Sequence, residues 1–336
     1  MNKTQWILGV AATAVSIFVA ACGGGGSGSG GSVTPASTST SYTAVAAAGE
    51  MITYNVNPTD LTYSYTITES QFGLTGKTGS GTLIKLADGT YTASNAGNAR
   101  IAILPNGLLL AAVQENFGGT VKTVPVIGLS NPVTSFAAIA GSYNFVQRAC
   151  VSVSCFQVHG TFVARADGTW SSCAGGNLAV GPCPTTGSTG ILNNLGNGRF
   201  QIIDSNGSVN IGTAIAFASN TQNVVIADLK DSRNPGFGTG ILVGSQQQTI
   251  NPGAVDGTWV ASGTNGVHGS FKITGTNIQY QDINGSPSSA TSSVTYNIPW
   301  AGMGTTSGGG VGLLAGSGVY VLGSGLSYAE IGIKVK

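Results

Sequence analysis

The sequence predicts an all-β protein. It reads as an antiparallel, hairpin-rich barrel or sandwich built from about three degenerate β units, preceded by a signal peptide and a Gly/Ser tether. Three observations predict this. Short apolar or alternating runs are bounded throughout by Asp-Gly, Asn-Gly and Pro, the punctuation of tight hairpins. An eleven-residue frame, "GTLIKLADGTY" ending at Tyr91, returns 79 positions later as "GTFVARADGTW" ending at Trp170. Beyond the N-terminus no amphipathic helical period is found, and Gly (53 of 336 residues) and β-branched residues take the place of Glu/Lys/Leu runs.

Residues 1–21 carry Lys3 and then the uncharged stretch Trp6–Ala21, too short for a comfortable membrane span and arranged as a signal sequence. It ends in Val19-Ala20-Ala21-Cys22. This motif resembles the lipobox of bacterial lipoproteins. The resemblance implies cleavage before Cys22, a diacylglyceryl group on its thiol and acylation, for instance by palmitate, of the new amine. Two or three chains anchor stably where one does not. Gly23 in place of Asp implies, by the same resemblance, sorting to the outer membrane. Residues 22–45 then open as "CGGGGSGSGGSVTPASTSTS", a flexible tether with a reach of ~25 Å that has nothing to pack. Its glycines lack the Gly-Lys-Ser/Thr ending of a phosphate loop.

Unit one is placed at 46–140, unit two at 141–255 and unit three at 256–336. "SYTI" at Ser64 and "SYNF" at Ser142 precede the two frames, and "GNARIAI" at Gly97 and "GNGRFQI" at Gly196 follow them. A third, eroded copy is "GTW" at Gly257 followed by "GSFKITGTNIQY" at Gly269. Gly257-x-Trp259 resembles the first strand of lipocalin- and avidin-like barrels. The unequal unit lengths argue against a strict solenoid or propeller. In "EIGIKVK" Ile331, Ile333 and Val335 share one face, and Glu330, Gly332, Lys334 and Lys336 the other, which reads as a strand with one wet side. From Ile283 to Ala329 no residue is charged, but its glycines and two short β-like runs argue for strands, not a membrane helix.

Composition excludes some functions. Only 7% of residues are charged and the net charge is +1, so no basic patch exists and nucleic acid is not an expected partner. Four cysteines follow Cys22, all in unit two: Cys150, Cys155, Cys173 and Cys183. An exported chain meets an oxidising compartment, so disulfides are expected. Of three possible pairings, Cys150–Cys155 with Cys173–Cys183 is preferred, because each clips a short loop. Their spacings do not suit zinc. His159 and His268 occupy approximately repeat-equivalent places, but no carboxylate cluster accompanies them. "DSNG" and "DING" read as turns, lacking the rest of a calcium loop. No Gly-x-Ser-x-Gly elbow and no His-Glu-x-x-His occurs in the body. A glycosidase-like pair would have to assemble from scattered acids such as Asp88 and Asp167. Tyr91, Trp170 and Trp259 are candidates for a ligand-stacking platform against their ordinary use in packing.

The expected function is a lipid-anchored envelope protein with no cofactor and no assigned catalytic residue, attached to the membrane through its N-terminal lipid. A low-charge, Ser/Thr/Asn-rich surface suits carbohydrate, an apolar ligand or an envelope protein as partner. The alternatives are an exported hydrolase on a β scaffold and a purely structural envelope component. As a whole the chain resembles the β-rich lipoproteins of Gram-negative bacteria.

Overall fold

A computed structural model describes residues 39–336, apart from 95–98, 118–119, 152–153, 185–186, 220, 231–238, 267, 283–284 and 325–327. The expected signal peptide, Cys22 and most of the tether lie outside the described residues.

The first barrel runs through β1 (Thr40–Ala46), β2 (Glu50–Asn57), β3 (Thr62–Ser70), β4 (Thr78–Lys85), β5 (Tyr91–Ala93), β6 (Arg100–Ile103), β7 (Leu108–Phe117) and β8 (Thr120–Leu129). A single helical turn, α1 (Phe136–Ile139), leads to the second. That barrel is β9 (Gly141–Val151), β10 (Ser154–Ala164), β11 (Thr169–Ala174), β12 (Ser188–Gly196), β13 (Arg199–Asp204), β14 (Asn210–Phe217), β15 (Val224–Leu229) and β16 (Thr239–Gln246). The third is β17 (Gly257–Gly263), β18 (His268–Thr274), β19 (Asn277–Gln281), β20 (Pro287–Tyr296), β21 (Met303–Thr306), β22 (Val311–Leu314), β23 (Val319–Ser324) and β24 (Tyr328–Lys334). Each set of eight pairs antiparallel in chain order, and its first strand pairs its last. The all-β, hairpin-rich prediction is borne out, and of its two architectures the barrel is the one found. β1 begins at Thr40, inside the segment 22–45 read as tether; Tyr42, Ala44 and Ala46 alternate into the core there.

An eight-stranded barrel is just wide enough for side chains to fill. In the first, Tyr54 stacks on Tyr63 and Tyr65, with ring centroids 5.7 and 5.9 Å apart. In the second, Tyr143 stacks on Phe162 at 4.6 Å. In the third, Trp259, Phe271 and Tyr320 fill the centre at centroid separations of 5.1–6.4 Å. Glycines in strand interiors make room for these rings. Gly79 pairs in register with Tyr65, and a β-carbon there would lie 2.5 Å from the Tyr65 ring. Gly190 stands in the same relation to Trp170 at 2.7 Å, and Gly160 to Phe145 at 2.8 Å. The high glycine content therefore has a packing role as well as a turn role.

The three barrels pack into one unit through dry flanks. β1 lies against β15 and β16, and β8 against β14. β6, β7 and β8 lie against β17, and β7 also against β24. β22 and β23 lie against β9. Val146, Ile226 and Val243 of the second barrel and Val260, Val321, Ile331 and Ile333 of the third join the core of the first. The second face of the last strand is only partly wet, contrary to expectation: Lys336 is exposed and Glu330 and Lys334 are partly so, but Gly332 is buried against Tyr320, inside the third barrel. The wet flanks are β4, β12 and β20, whose sequences are rich in Ser, Thr, Asn and Gly.

The repeated frame proves to be a hairpin, not a fixed barrel position. It spans β4–β5, the fourth and fifth strands of barrel one, but β10–β11, the second and third of barrel two. The eroded copy at Gly269 spans β18–β19, again second and third. Its turn recurs elsewhere. The Leu86 and Arg165 amides donate to the Thr90 and Thr169 carbonyls at 2.8 and 2.9 Å. The same closure joins Leu104 to Leu108, Thr306 to Gly310 and Ala315 to Val319. Gly89 (φ +87°) and Gly168 (φ +83°) supply the left-handed residue that this five-residue turn needs.

Candidate functional site at the joint of the first two barrels

The turn Ala47–Gly49 joins β1 to β2 and touches the start of β16 in the second barrel. Glu50, the next residue, lies on the same face of β2 as Ile52, Tyr54 and Val56. Glu115 continues the row Ala111, Val113 on β7. The two carboxyl groups meet at this end of the barrel, with relative exposures of 0% and 2%. All four of their carboxyl oxygens are buried without a hydrogen-bond partner among the described residues. Two buried, unpartnered carboxyl groups this close to one another resist ionising together, so the pair favours holding a proton. Burial, then the charges of Glu115 and Asp228, push Glu50 up to about 10. Burial also raises Glu115, to about 7.

Asp228 comes from β15 of the neighbouring barrel and is 1% exposed. Burial lifts it from 3.8 to about 7; Lys230 pulls it down and Glu69 adds to the rise. Glu69 itself accepts from Arg199 and from the Thr213 hydroxyl, both at 3.2 Å, and from Lys230. Acid groups from two barrels thus face one another across a closed joint. Glu50, Glu115 and Asp228 are all buried at this joint. Sealed from solvent, it has no open cleft in which a general acid and a nucleophile would meet a substrate.

The residues singled out from sequence are dispersed. Asp88 accepts from the Thr90 amide (2.9 Å) and hydroxyl (2.6 Å) and pairs with buried Arg100; burial works against its ionised form, but these partners hold it below the usual carboxylate range. Asp167 makes the same bonds to Thr169 (2.9 and 2.7 Å), which lower its pKa. Each aspartate closes its own turn, in separate barrels. Tyr91 is buried, and Trp259 is buried with its Nε1 donating to the Val255 carbonyl at 3.0 Å. Trp170 is half-buried and donates to the Ile203 carbonyl at 3.2 Å. These rings pack; they do not form a platform. His159 lies against Trp300 (5.8 Å between centroids), whereas His268 Nδ1 shares a 2.7 Å hydrogen bond with the Ser262 hydroxyl. Burial lowers the pKa of both. Disulfides join Cys150 to Cys155 and Cys173 to Cys183. Among the described residues no group of His, Cys, Asp and Glu is arranged to hold a metal ion.

No protein-family model matches this chain, and no curated protein matches it in sequence.

Proposed function

We propose that the protein is a lipid-anchored envelope component without a catalytic role. Its three fused barrels form a stiff body that displays neutral, hydroxyl-rich flanks to a carbohydrate or protein partner outside the membrane. The observation that carries this reading is that aromatic side chains fill each barrel centre, which leaves recognition to the outer surface. Exposed Ser288, Ser289, Thr291 and Asn193 on β20 and β12 suit recognition by neutral hydrogen bonds. The anchor is read from the lipobox-like Val19-Ala20-Ala21-Cys22.

Labelled palmitate fed to expressing cells is expected in the full-length protein and absent from Cys22→Ser, which should leave the membrane fraction. Equal labelling of the two proteins rules the anchor out. A photo-crosslinker at Thr291 should capture one envelope glycan or protein on intact cells. An apolar small molecule co-purifying in stoichiometric amount would instead make the barrels carriers and defeat the display reading.

A further inference from the structure

The two disulfides of the second barrel sit in different surroundings. Cys183 is partly exposed, but its partner Cys173 is fully buried, and the insertion after it folds back on its sulfur: a β-carbon on Gly176 would lie 2.6 Å from Cys173 Sγ and 2.4 Å from Pro184. Cys150 and Cys155 are opposed residues of β9 and β10 and both are partly exposed. Arg148 lies two residues before Cys150, on the same face of β9. Its Nη2 donates to Cys155 Sγ at 3.2 Å, while Nη1 reaches the Ala47 carbonyl of the first barrel at 3.5 Å. The guanidinium is therefore held against one sulfur of the bond. Burial lowers the Arg148 pKa, but a guanidinium is not deprotonated in proteins, so the side chain stays a cation.

We propose that Cys150–Cys155 is a redox-active disulfide that exchanges with exported dithiols, with Arg148 selecting Cys155 as the leaving sulfur, whereas Cys173–Cys183 is structural. An adjacent cation stabilises a thiolate, and exchange runs faster when the leaving thiolate is the more stable one. A thiolate of the incoming dithiol attacks Cys150 Sγ. The S–S bond breaks, and its electron pair leaves on Cys155 Sγ beside the guanidinium. A mixed disulfide now joins Cys150 to the dithiol. The second thiolate of the dithiol attacks its own sulfur in that bond and expels Cys150 as a thiolate, which takes a proton from water. The dithiol ends oxidised to its disulfide, and Cys150 and Cys155 hold the two electrons. The role of such a dithiol in the cell rests on the exported location proposed above; the chemistry itself does not.

The test is limited reduction of the oxidised full-length protein with glutathione, quenched by alkylation and read by peptide mass mapping. Cys150–Cys155 is expected to open about tenfold or more faster than Cys173–Cys183, with glutathione trapped on Cys150 and the alkyl group on Cys155. Arg148→Met should slow that opening roughly tenfold and leave Cys173–Cys183 unchanged. Equal rates for the two bonds, glutathione on Cys155, or an unslowed Arg148→Met would overturn the assignment. If Arg148→Met loosens the fold, both bonds will open faster together. The position of glutathione in the wild-type protein, and the rate in the charge-conserving Arg148→Lys, then decide the matter. A failed anchor test would leave all of these readings in place.

Discussion

Glu50→Gln is expected to stabilise the protein at alkaline pH and to flatten its alkaline stability slope. The source of the effect is the proton that burial holds on the acid pair. Glu50 ionises near 4.5 in the unfolded chain but near 10 in the folded one. A group whose folded pKa is raised contributes its full stability below the unfolded value and loses it as pH climbs towards the folded value. Between pH 7 and 9 the unfolded chain has released this proton and the folded chain retains it. Stability should then fall by about 1.4 kcal/mol per pH unit, or roughly 3 kcal/mol over the interval. Glu115 and Asp228, both raised to about 7, act with the same sign but lose much of their contribution by the lower end of this window. His159 and His268 have lowered pKa values, so their linkage acts with the opposite sign, and only below neutrality. Asp88 and Asp167 act only at acid pH.

A glutamine amide at position 50 can donate to Glu115, so the variant fills the same space while removing the titration. Denaturant melts at pH 7 and 9 measure the effect. The wild-type protein should lose stability between them, and Glu50→Gln should lose little. A wild-type curve that is flat or rising across this interval, or a variant with an undiminished slope, would show that the pair holds no proton. Glu115→Gln offers an independent version of the same experiment, since its side chain can donate in the reverse direction.

The fold was largely legible because its signals are local. Asp-Gly and Asn-Gly specify turns that form from a few adjacent residues, and alternation such as "LTYSYTIT" is visible without any partner strand. Closure into barrels was not legible, because pairing of β1 with β8 or β17 with β24 depends on contacts across the whole unit. The repeated "ADGT" frame misled for a related reason. It marks a turn that the chain uses wherever two strands must be joined, so its copies need not occupy matching strands. The last strand misled because alternation shows that two faces differ, not that one of them meets water: Gly332 looked polar-side and in fact yields space to Tyr320.

The acid pair was missed although a signal existed. Glu115 sits where the row Ala111, Val113 calls for another inward residue, and Glu50 stands in the same phase as Ile52 and Tyr54. A charge at an inward position of an otherwise apolar strand is the informative kind of exception. What no reading of one strand can show is that the two exceptions meet, or that Asp228 approaches them from another barrel. The disulfides were readable because short loops limit the choices.

Gly49→Ala should be the most damaging single methyl in the joint, costing roughly 3–5 kcal/mol by two additive routes. The backbone at Gly49 has φ +101°, a region that L side chains rarely adopt. A β-carbon there would also lie 2.6 Å from the Gly240 amide nitrogen and 3.1 Å from Thr239. The obstacle is the backbone of β16, and it has little room to withdraw. A β-carbon on Gly240 would itself lie 2.0 Å from the Arg148 carbonyl, so β16 is pressed close to β9 from its other side. The turn must therefore move away from the second barrel. Gly73→Ala is the matched control: its φ of +72° is also left-handed, but nothing lies within 4 Å of the added carbon. It should cost about 1 kcal/mol, from strain alone. Thermal melts at neutral pH separate the two, with an expected drop of roughly 6–20 °C for Gly49→Ala and ~2–4 °C for Gly73→Ala. Because Glu50 follows Gly49 directly, a displaced turn admits water to the acid pair and returns its ionisation towards that of an exposed carboxyl. Gly49→Ala should thus also lose part of the pH 7 to 9 slope, which Gly73→Ala should keep. Equal melting temperatures for the two variants would mean that the Gly49–Gly240 contact does not hold the joint. A large drop with an unchanged slope would mean that the turn and the acid pair are independent.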